Sequence, residues 1–219
     1  MSMLGPMPSM PADRPPQQER SRRTLARLLA ATIWTLDELG LENATIPRIA
    51  RKAEVSPATI YRRFESKQAL LRAAFLHMLK RSNQANRERA GEKLGGSLER
   101  AARTLIDHFF AQFRQHYHLL RALDRFMETD DDPAFVEAAQ AIERDNLEQI
   151  VQAMLAHRAA IAHPDPERAV RIATLTAATT INTIAFKPRN LWRTVLPEAN
   201  EALAEELTRT YVAYLKSEA

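Results

Sequence analysis

Residues 45–67 read TIPRIARKAEVSPATIYRRFESK and contain two short helical patterns. In the first, Ile49 and Ala50 belong to an apolar face that repeats every three to four residues, which predicts a buried helix face. The second begins at Ser56 and Pro57, where an oxygen-bearing N-cap precedes a proline whose missing N–H costs nothing at the first helical position. The segment therefore predicts two short helices joined by a tight turn.

The second predicted helix has two different faces. Ile60 and Phe64 lie four residues apart and are expected to point into the core. The outward side chains are small, hydroxyl-bearing or basic, as in the second helix of a helix-turn-helix unit, which enters the major groove of DNA. Hydroxyl groups suit base edges and phosphates, and guanidinium groups suit guanine and phosphates. The candidate contacts on this face are Thr59, Tyr61, Arg62 and Arg63.

The spacing of this segment resembles the N-terminal signature of the TetR family. The shared pattern is Thr-x-x-x-Ile-Ala-x-x-Ala-x-Val-Ser-x-x-Thr-Ile-Tyr-x-x-Phe-x-Ser-Lys-x-x-Leu, from Thr45 to Leu70. The resemblance implies a three-helix DNA-binding domain, a connecting fourth helix, and a homodimeric repressor that a small ligand releases from DNA. By position, it assigns DNA contacts to Thr45, Ser56, Pro57, Ala58, Thr59, Tyr61, Arg62 and Lys67.

The sequence departs from this family pattern at three positions. Glu54 occupies a turn position where the family usually has glycine, Ala58 stands where glycine is common, and Arg63 replaces a usual histidine. If Glu54 adopts a left-handed backbone conformation, the cost is on the order of 1 kcal/mol relative to glycine. We expect the fold to tolerate these changes and the operator preference to differ.

Structural roles compete with DNA contact at several of these positions. Tyr61 also suits the edge of the domain, and Lys67 suits the solvated start of a helix. Arg63 has an acidic neighbour, Glu65, as a possible ion-pair partner. Four arginines of the predicted first helix are either further phosphate contacts or a solvated basic face: Arg20, Arg22, Arg23 and Arg27. Thr59 is the strongest contact prediction.

The rest of the chain follows helical periods, and only five glycines interrupt it. We predict an all-α fold, with an N-terminal three-helix helix-turn-helix domain followed by a helical-bundle regulatory and dimerisation domain. Residues 1–18 are interpreted as a flexible proline-rich leader, 19–80 as the DNA-binding domain with the start of the connecting helix, and 81–219 as the ligand-binding and dimerisation domain. Helices are predicted near 19–39, 45–52, 56–63, 66–90, 97–115, 117–127, 132–158, 166–186 and 199–216, with a glycine-marked break at 91–96 and a loop at 187–197.

Charge and composition narrow the functional classes. Residues 1–90 contain 16 Lys/Arg and 8 Asp/Glu, whereas residues 91–219 contain 15 and 19, so the N-terminal part is the candidate polyanion binder. The absence of cysteine excludes disulfides and thiolate chemistry. Scattered histidines and the lack of a glycine-rich phosphate loop predict no catalytic residues, no metal and no cofactor, and therefore no enzyme. Without a signal peptide or a membrane-spanning apolar run, we expect a cytoplasmic protein that does not enter membranes.

The C-terminal part offers candidates for a ligand pocket and a dimer interface. An apolar concentration with interleaved basic side chains suggests a pocket lined by His108, Phe109, Phe113, Arg121 and Met127, although ordinary core packing explains the same pattern. Small side chains at 173–180 allow close helix approach, and the last helix adds Leu203, Leu207, Tyr211, Tyr214 and Leu215. These two helices are predicted to form a four-helix homodimer interface, unless they pack only within one chain.

Together these features predict a sequence-specific transcriptional regulator that binds double-stranded operator DNA. The predicted activity is repression relieved by a small-molecule effector of unknown identity. The alternative is a DNA-binding activator or architectural protein without ligand-controlled release. A pure protein-interaction module is a third interpretation, which binding to any DNA would exclude.

Overall fold

The computed structural model describes residues 17–186 and 199–218. These residues form nine α-helices and one short 3-10 helix at Arg158–Ala160. The α-helices are α1 (Gln17–Asn43), α2 (Ile46–Lys52), α3 (Pro57–Tyr61), α4 (Lys67–Lys93), α5 (Leu98–Gln115), α6 (Tyr117–Thr129), α7 (Pro133–Leu155), α8 (Pro166–Phe186) and α9 (Asn200–Leu215). The all-α prediction is confirmed.

Most helix boundaries agree with the predictions to within two or three residues. The predicted leader is described only from Gln17, which begins α1, and the predicted loop at 187–197 lies outside the described residues. The predicted glycine-marked break after the fourth helix is present but begins three residues later than expected, because α4 continues through Gly91 to Lys93 and the chain turns at Gly96, whose φ is 94°. The α7 helix ends at Leu155, three residues before its predicted end.

Local sequence signals set the ends of several helices. Gly40 has φ 72° and ψ 175° and separates the body of α1 from its last turn, as the predicted C-terminal cap requires. Asp132 caps α7 by accepting hydrogen bonds from the backbone N–H groups of Ala134 and Phe135. Asp165 accepts one from the N–H of Arg168 at the start of α8. Oxygen-bearing side chains therefore satisfy otherwise unpaired N–H groups at these helix starts.

Three apolar clusters hold the helices together. The first lies inside the helix-turn-helix domain, where Ile49 and Ile60 are fully buried with Leu28, and Val55 and Phe64 pack against them. The second forms the core of the C-terminal bundle of α5, α7, α8 and α9. The third joins the two parts, because it combines residues of α1 and α4 with residues of α6 and α7. The helices of the N-terminal helix-turn-helix part thus share a core with the C-terminal bundle.

The joining cluster is centred on aromatic rings. Phe75 of α4 is fully buried, and its ring centroid lies 5.2 Å from that of Phe126 on α6. Phe126 in turn contacts Phe135 of α7 edge to face, with centroids 5.4 Å apart. Aromatic pairs at these distances contribute beyond their buried area. They fix α4 against the α6–α7 corner.

Between Gln17 and Phe186, and between Ala199 and Glu218, no helix has the length and apolar character needed to cross a membrane.

Candidate functional site

The exposed face of the helix-turn-helix is organised by a short chain of hydrogen bonds. The Ser56 hydroxyl caps α3 by accepting from the Thr59 N–H, and the two hydroxyl oxygens lie 3.0 Å apart. Arg62 donates to the Thr59 hydroxyl over 3.1 Å. Because the hydroxyl of Thr59 contacts both neighbours, it sets the position of the Arg62 guanidinium. The arrangement presents a hydroxyl group and a cation together on the face predicted to meet DNA.

Three other predicted contact residues differ in their surroundings. Tyr61 is 55% exposed, so it does not serve as a buried edge of the domain. Lys67 is the first residue of α4 and is half-buried. Thr45 stands exposed at the N-cap position of α2, but its side chain makes no capping hydrogen bond. The Thr45 hydroxyl therefore has no capping role at the start of α2.

Pro57 and Ala58 are exposed at the start of α3. Both are small side chains beside Thr59, so the backbone of α3 is accessible on this side. This matches their predicted location on the DNA-facing surface.

Arg63 makes a contact within the chain that was not predicted, since the sequence suggested either DNA contact or an ion pair with Glu65. Its guanidinium donates to the backbone oxygen of Ser21 over 3.0 Å and to the Ser21 hydroxyl over 2.8 Å. Its side chain therefore reaches α1 and does not pair with Glu65. This contact ties the end of the second helix to the start of α1. We assign Arg63 a positioning role in the free protein.

The turn between the two helices contains a strained residue. Glu54 has φ 54°, so the condition stated for this turn position is met and the residue adopts the left-handed conformation. Its side chain is largely exposed, and its carboxylate lies 3.9 Å from the Arg27 guanidinium. An ion pair this long and this exposed contributes little stability, so it does not offset the backbone strain. The turn therefore carries a backbone cost that glycine would avoid.

Replacing Glu54 with glycine is expected to raise the free energy of unfolding by up to about 1 kcal/mol, since glycine adopts positive φ without steric cost. Urea denaturation followed by circular dichroism measures this change. Glu54→Ala is the matched control, because it removes the carboxylate and keeps the Cβ atom. An equal gain in both variants would attribute the effect to charge and contradict the backbone explanation.

A cavity of about 570 Å³ lies between the two parts of the protein. Its walls come from five helices, α1, α4, α5, α6 and α7. Ile33 and Asp37 of α1 belong to these walls, so the cavity reaches the DNA-binding domain itself. Its size falls in the range of small-molecule sites.

The structure separates the predicted ligand residues into two groups. His108, Phe109 and Phe113 of α5 line the cavity. Arg121 is exposed, donates a hydrogen bond to the Tyr117 hydroxyl and is not among the lining residues. Met127 packs against the joining cluster and is also absent from the cavity wall. The apolar residues of α5 and α6 thus fall into two groups, one in the cavity wall and one in the joining cluster. The two groups differ because different faces of α6 point toward the cavity and toward the cluster.

Two acidic cavity residues were absent from the sequence predictions. Asp37 of α1 lies 2.9 Å from His116 at the α5–α6 junction, measured from Oδ2 to Nδ1, and both line the cavity. Glu143 of α7 also lines it, and burial raises the pKa of its carboxyl above the usual range. Each is an ordinary charged residue of an amphipathic helix in the sequence, and only helix packing brings them to one cavity.

Arg72 connects α4 to the α6–α7 corner. Its guanidinium contacts Asp130 at 2.9 Å, Asp132 at 2.9 Å and Asp131 at 3.4 Å. The Asp130 side chain is only 2% exposed, and hydrogen bonding to it raises the pKa of Arg72. The three consecutive aspartates therefore form an anchor for α4, and within the described residues no group of acids and histidines is arranged to hold a metal.

The predicted dimer residues of α9 belong largely to the core of one chain. Leu203, Tyr211 and Leu215 are buried, and the Tyr211 hydroxyl lies 2.9 Å from that of Thr174. Burial raises the pKa of Tyr211 to about 12. These three side chains are therefore unavailable to a second subunit, and Leu207 and Tyr214 are partly buried against the same core. The corresponding prediction is corrected, since the inner face of α9 packs within the protomer.

The outer face of α8 has a different character. Leu175 is 59% exposed and Ile172 is 39% exposed, while Ala173 and Ala177 of the small-residue run face inward. Thr176 and Thr179 are exposed beside them. Among residues 17–186 and 199–218, nothing covers the apolar surface that Leu175 and Ile172 present on this side of α8.

An N-terminal helix-turn-helix that shares a core with a larger helical bundle is the architecture of a bacterial DNA-binding regulator. The sequence model described as bacterial regulatory proteins, tetR family, matches residues 28–74, from α1 into α4. An uncharacterised HTH-type transcriptional regulator of Mycobacterium tuberculosis is 29% identical over 144 residues, 66% of this chain and 67% of the relative. The HTH-type transcriptional regulator BetI of Pseudomonas aeruginosa is 33% identical over 85 residues, 39% of this chain and 43% of its own. Residues 28–74 therefore form a DNA-binding helix-turn-helix region of the TetR type, and the chain is similar to HTH-type transcriptional regulators over 66% of its length.

Solved structures extend the similarity of fold to the C-terminal bundle. A TetR-family regulator from Mesorhizobium loti has a TM-score of 0.64 at 19% identity, covering 90% of this chain and 96% of its own. The regulator FadR from Bacillus subtilis, solved in complex with stearoyl-CoA, has a TM-score of 0.56 at 17% identity, covering 89% and 98%. At these identities the comparison concerns the fold alone.

Proposed function

We propose that the protein is a homodimeric repressor that a small-molecule effector releases from its operator. The observation that carries this proposal is the cavity between the two parts of the chain. Because Ile33 and Asp37 of α1 form part of its wall, a ligand inside it would contact the DNA-binding domain directly. A FadR structure of similar fold holds stearoyl-CoA, which supports an effector role for this bundle.

The coupling between cavity and DNA runs through α1 and α4. Asp37 of α1 contacts His116 in the cavity wall, so a ligand that separates the two groups shifts the first helix relative to the bundle. The Arg72 anchor and the Phe75–Phe126 contact hold α4 to the same bundle. A ligand changes operator affinity only to the extent that it binds the two conformations differently. We therefore expect the effector to favour a conformation in which the two recognition helices no longer match one DNA turn.

The DNA-facing residues of this repressor are those of the exposed helix-turn-helix surface. We assign base contact to Thr59 and Arg62, phosphate contact to Tyr61, Thr45 and Lys67, and close backbone approach to Ser56, Pro57 and Ala58. Arg63 has a positioning role through Ser21. The hydrogen-bonded pair of Thr59 and Arg62 supports the first assignment, since it orients a cation at the groove-facing surface.

The dimer forms through the outer face of α8 together with the outward side of α9. The exposed Leu175 and Ile172 support this choice, because burial against a second copy removes apolar surface from water.

Changing Leu175 to glutamate should convert the dimer to a monomer, because the substitution introduces a charge at the centre of the apolar surface. Light scattering coupled to size exclusion measures the mass. Leu39→Glu is the matched control, since Leu39 is an exposed leucine of α1 at 40%. A Leu175→Glu variant that stays dimeric would place the interface elsewhere.

The test of the proposed function uses labelled DNA from immediately upstream of the protein's coding region, with random DNA as competitor. We expect a competitor-resistant complex of dimer stoichiometry that weakens with salt. Compounds that bind the protein are then added to this complex. Leu120→Trp, which fills the cavity from α6, should keep DNA binding and lose release.

Each other outcome contradicts part of the proposal. A compound that binds in the cavity and leaves operator affinity unchanged would exclude effector-controlled release. DNA bending without release by any compound would favour an architectural protein, and loss of transcription on deletion would favour an activator.

A further inference from the structure

Glu143 is an accessible acid in the cavity wall with no partner in the described part of the chain. It lies in the middle of α7, lines the cavity and retains an exposed side chain. Within residues 17–186 and 199–218, no hydrogen bond or ion pair joins its carboxylate to another residue. The surrounding protein desolvates the carboxyl, and this burial raises its pKa. A ligand that donates hydrogen bonds to this carboxylate would replace those it lost to water, and would stabilise its charged form.

The cations nearest the cavity do not serve that purpose. Arg81 of α4 also lines the cavity, but within the described residues no hydrogen bond or ion pair joins its guanidinium to Glu143. The positive charge of Arg81 acts on His77, whose pKa is lowered first by burial and then by Arg81 and Lys80. His116 already faces Asp37. Of the two acidic residues that line the cavity, Asp37 therefore has a partner and Glu143 has none among the described residues.

The rest of the cavity has two chemically different sides. The amides of Asn86 and Asn146 hydrogen-bond each other over 3.0 Å and line the cavity, and Asn146 follows Glu143 by one helical turn on α7. The α5 and α6 walls are apolar, with Phe109, Phe113 and Leu120 among their residues. A molecule with one polar end and an apolar body fits this division.

We infer that the effector of the proposed repressor is a cationic amphipathic amine, whose ammonium group pairs with Glu143 while its apolar body lies against Phe109, Phe113 and Leu120. This inference rests on the proposed effector cavity and adds the chemical class of its ligand. An ammonium donates hydrogen bonds to a carboxylate, and such charge-assisted bonds are among the stronger polar contacts. A carboxylate ligand would instead place a second negative charge beside Glu143.

Three probes with the same apolar body test the charge preference: octylamine, 1-octanol and octanoate. Isothermal titration calorimetry of the full chain at pH 7 should show octylamine binding about tenfold or more tighter than 1-octanol. Octanoate should bind more weakly than either. In Glu143→Gln, octylamine and 1-octanol should bind with similar affinity.

The matched control is Glu137→Gln, an exposed glutamate of the same helix that does not line the cavity. It should retain the full preference for the amine. Binding of 1-octanol to Glu143→Gln serves as the check on its fold, because removing an unpaired desolvated carboxylate should leave the cavity and the melting temperature intact.

The inference is overturned if 1-octanol or octanoate binds the unmodified protein as tightly as octylamine, if no probe binds, or if Glu143→Gln keeps the preference for the amine. Operator release is measured separately by fluorescence anisotropy. If octanoate binds better and releases DNA, the charge class is wrong and the proposed repressor function stands. If octylamine binds through Glu143 and never affects DNA affinity, the ligand class stands and effector-controlled release fails.

Discussion

Replacing Thr59 and Tyr61 together with alanine should lower operator affinity about a hundredfold, since a lost base contact and a lost phosphate contact each cost roughly 1–2 kcal/mol. Thr59 contributes twice in the structure. Its hydroxyl faces the exposed surface and also accepts from Arg62, so its removal leaves the guanidinium without its orienting partner. The loss of affinity should therefore include a loss of sequence preference.

The measurement is fluorescence anisotropy with operator and with random DNA, at two salt concentrations. Thr59→Ala alone should reduce the ratio of operator to random affinity, whereas Tyr61→Ala alone should weaken binding to both DNAs and lower the salt dependence. Thr129→Ala is the control, because this exposed threonine ends α6 far along the chain from the helix-turn-helix. Unchanged sequence preference in Thr59→Ala would remove Thr59 from the base-reading residues.

Replacing Phe75 with alanine should lower the free energy of unfolding by about 3–5 kcal/mol, the usual cost of removing a buried aromatic side chain. Phe75 has no exposed surface, and its ring packs on Phe126. Marginal stability means that such a loss is a large fraction of the total. Urea denaturation followed by circular dichroism gives the change, and Phe75→Leu, which fills most of the volume, should cost much less.

The Phe75→Ala substitution should also affect function, because of where Phe75 lies. The cluster around it joins α1 and α4 to α6 and α7, so its loss should also weaken the coupling between cavity and DNA. A double-mutant cycle with Phe126→Ala should show an interaction energy, because the two rings are in contact. Additive effects of the two substitutions would contradict a shared joining cluster.

The local parts of this fold were accessible to sequence reasoning. Ser56 before Pro57 and Asp132 before Pro133 predicted helix starts, and both side chains cap as expected. The glycine position occupied by Glu54 drew attention to a left-handed backbone and its cost, and the residue does have φ 54°. These features depend on residues within one helical turn of each other, so their physics is contained in a short segment.

The sequence-based predictions were wrong where an apolar helix face could be covered by more than one partner. Met127 and Phe113 belong to the same apolar concentration in the sequence, yet Phe113 lines the cavity and Met127 packs on the joining cluster. Leu203 and Tyr211 looked equally suited to a dimer interface and to a core, and both are buried in the protomer. Periodicity identifies an apolar face and does not say which surface covers it.

The helix-turn-helix class, the place of Thr59 near the start of the second helix and the turn at Glu54 follow from the sequence, because each rests on helical period, capping or backbone sterics within residues 45–67. The cavity follows only from the packing of five helices. Asp37, His116 and Glu143 come from three distant segments, and they share one cavity because α1, the α5–α6 junction and α7 converge there. Helix crossing depends on the whole set of interlocking side chains, which no short pattern contains.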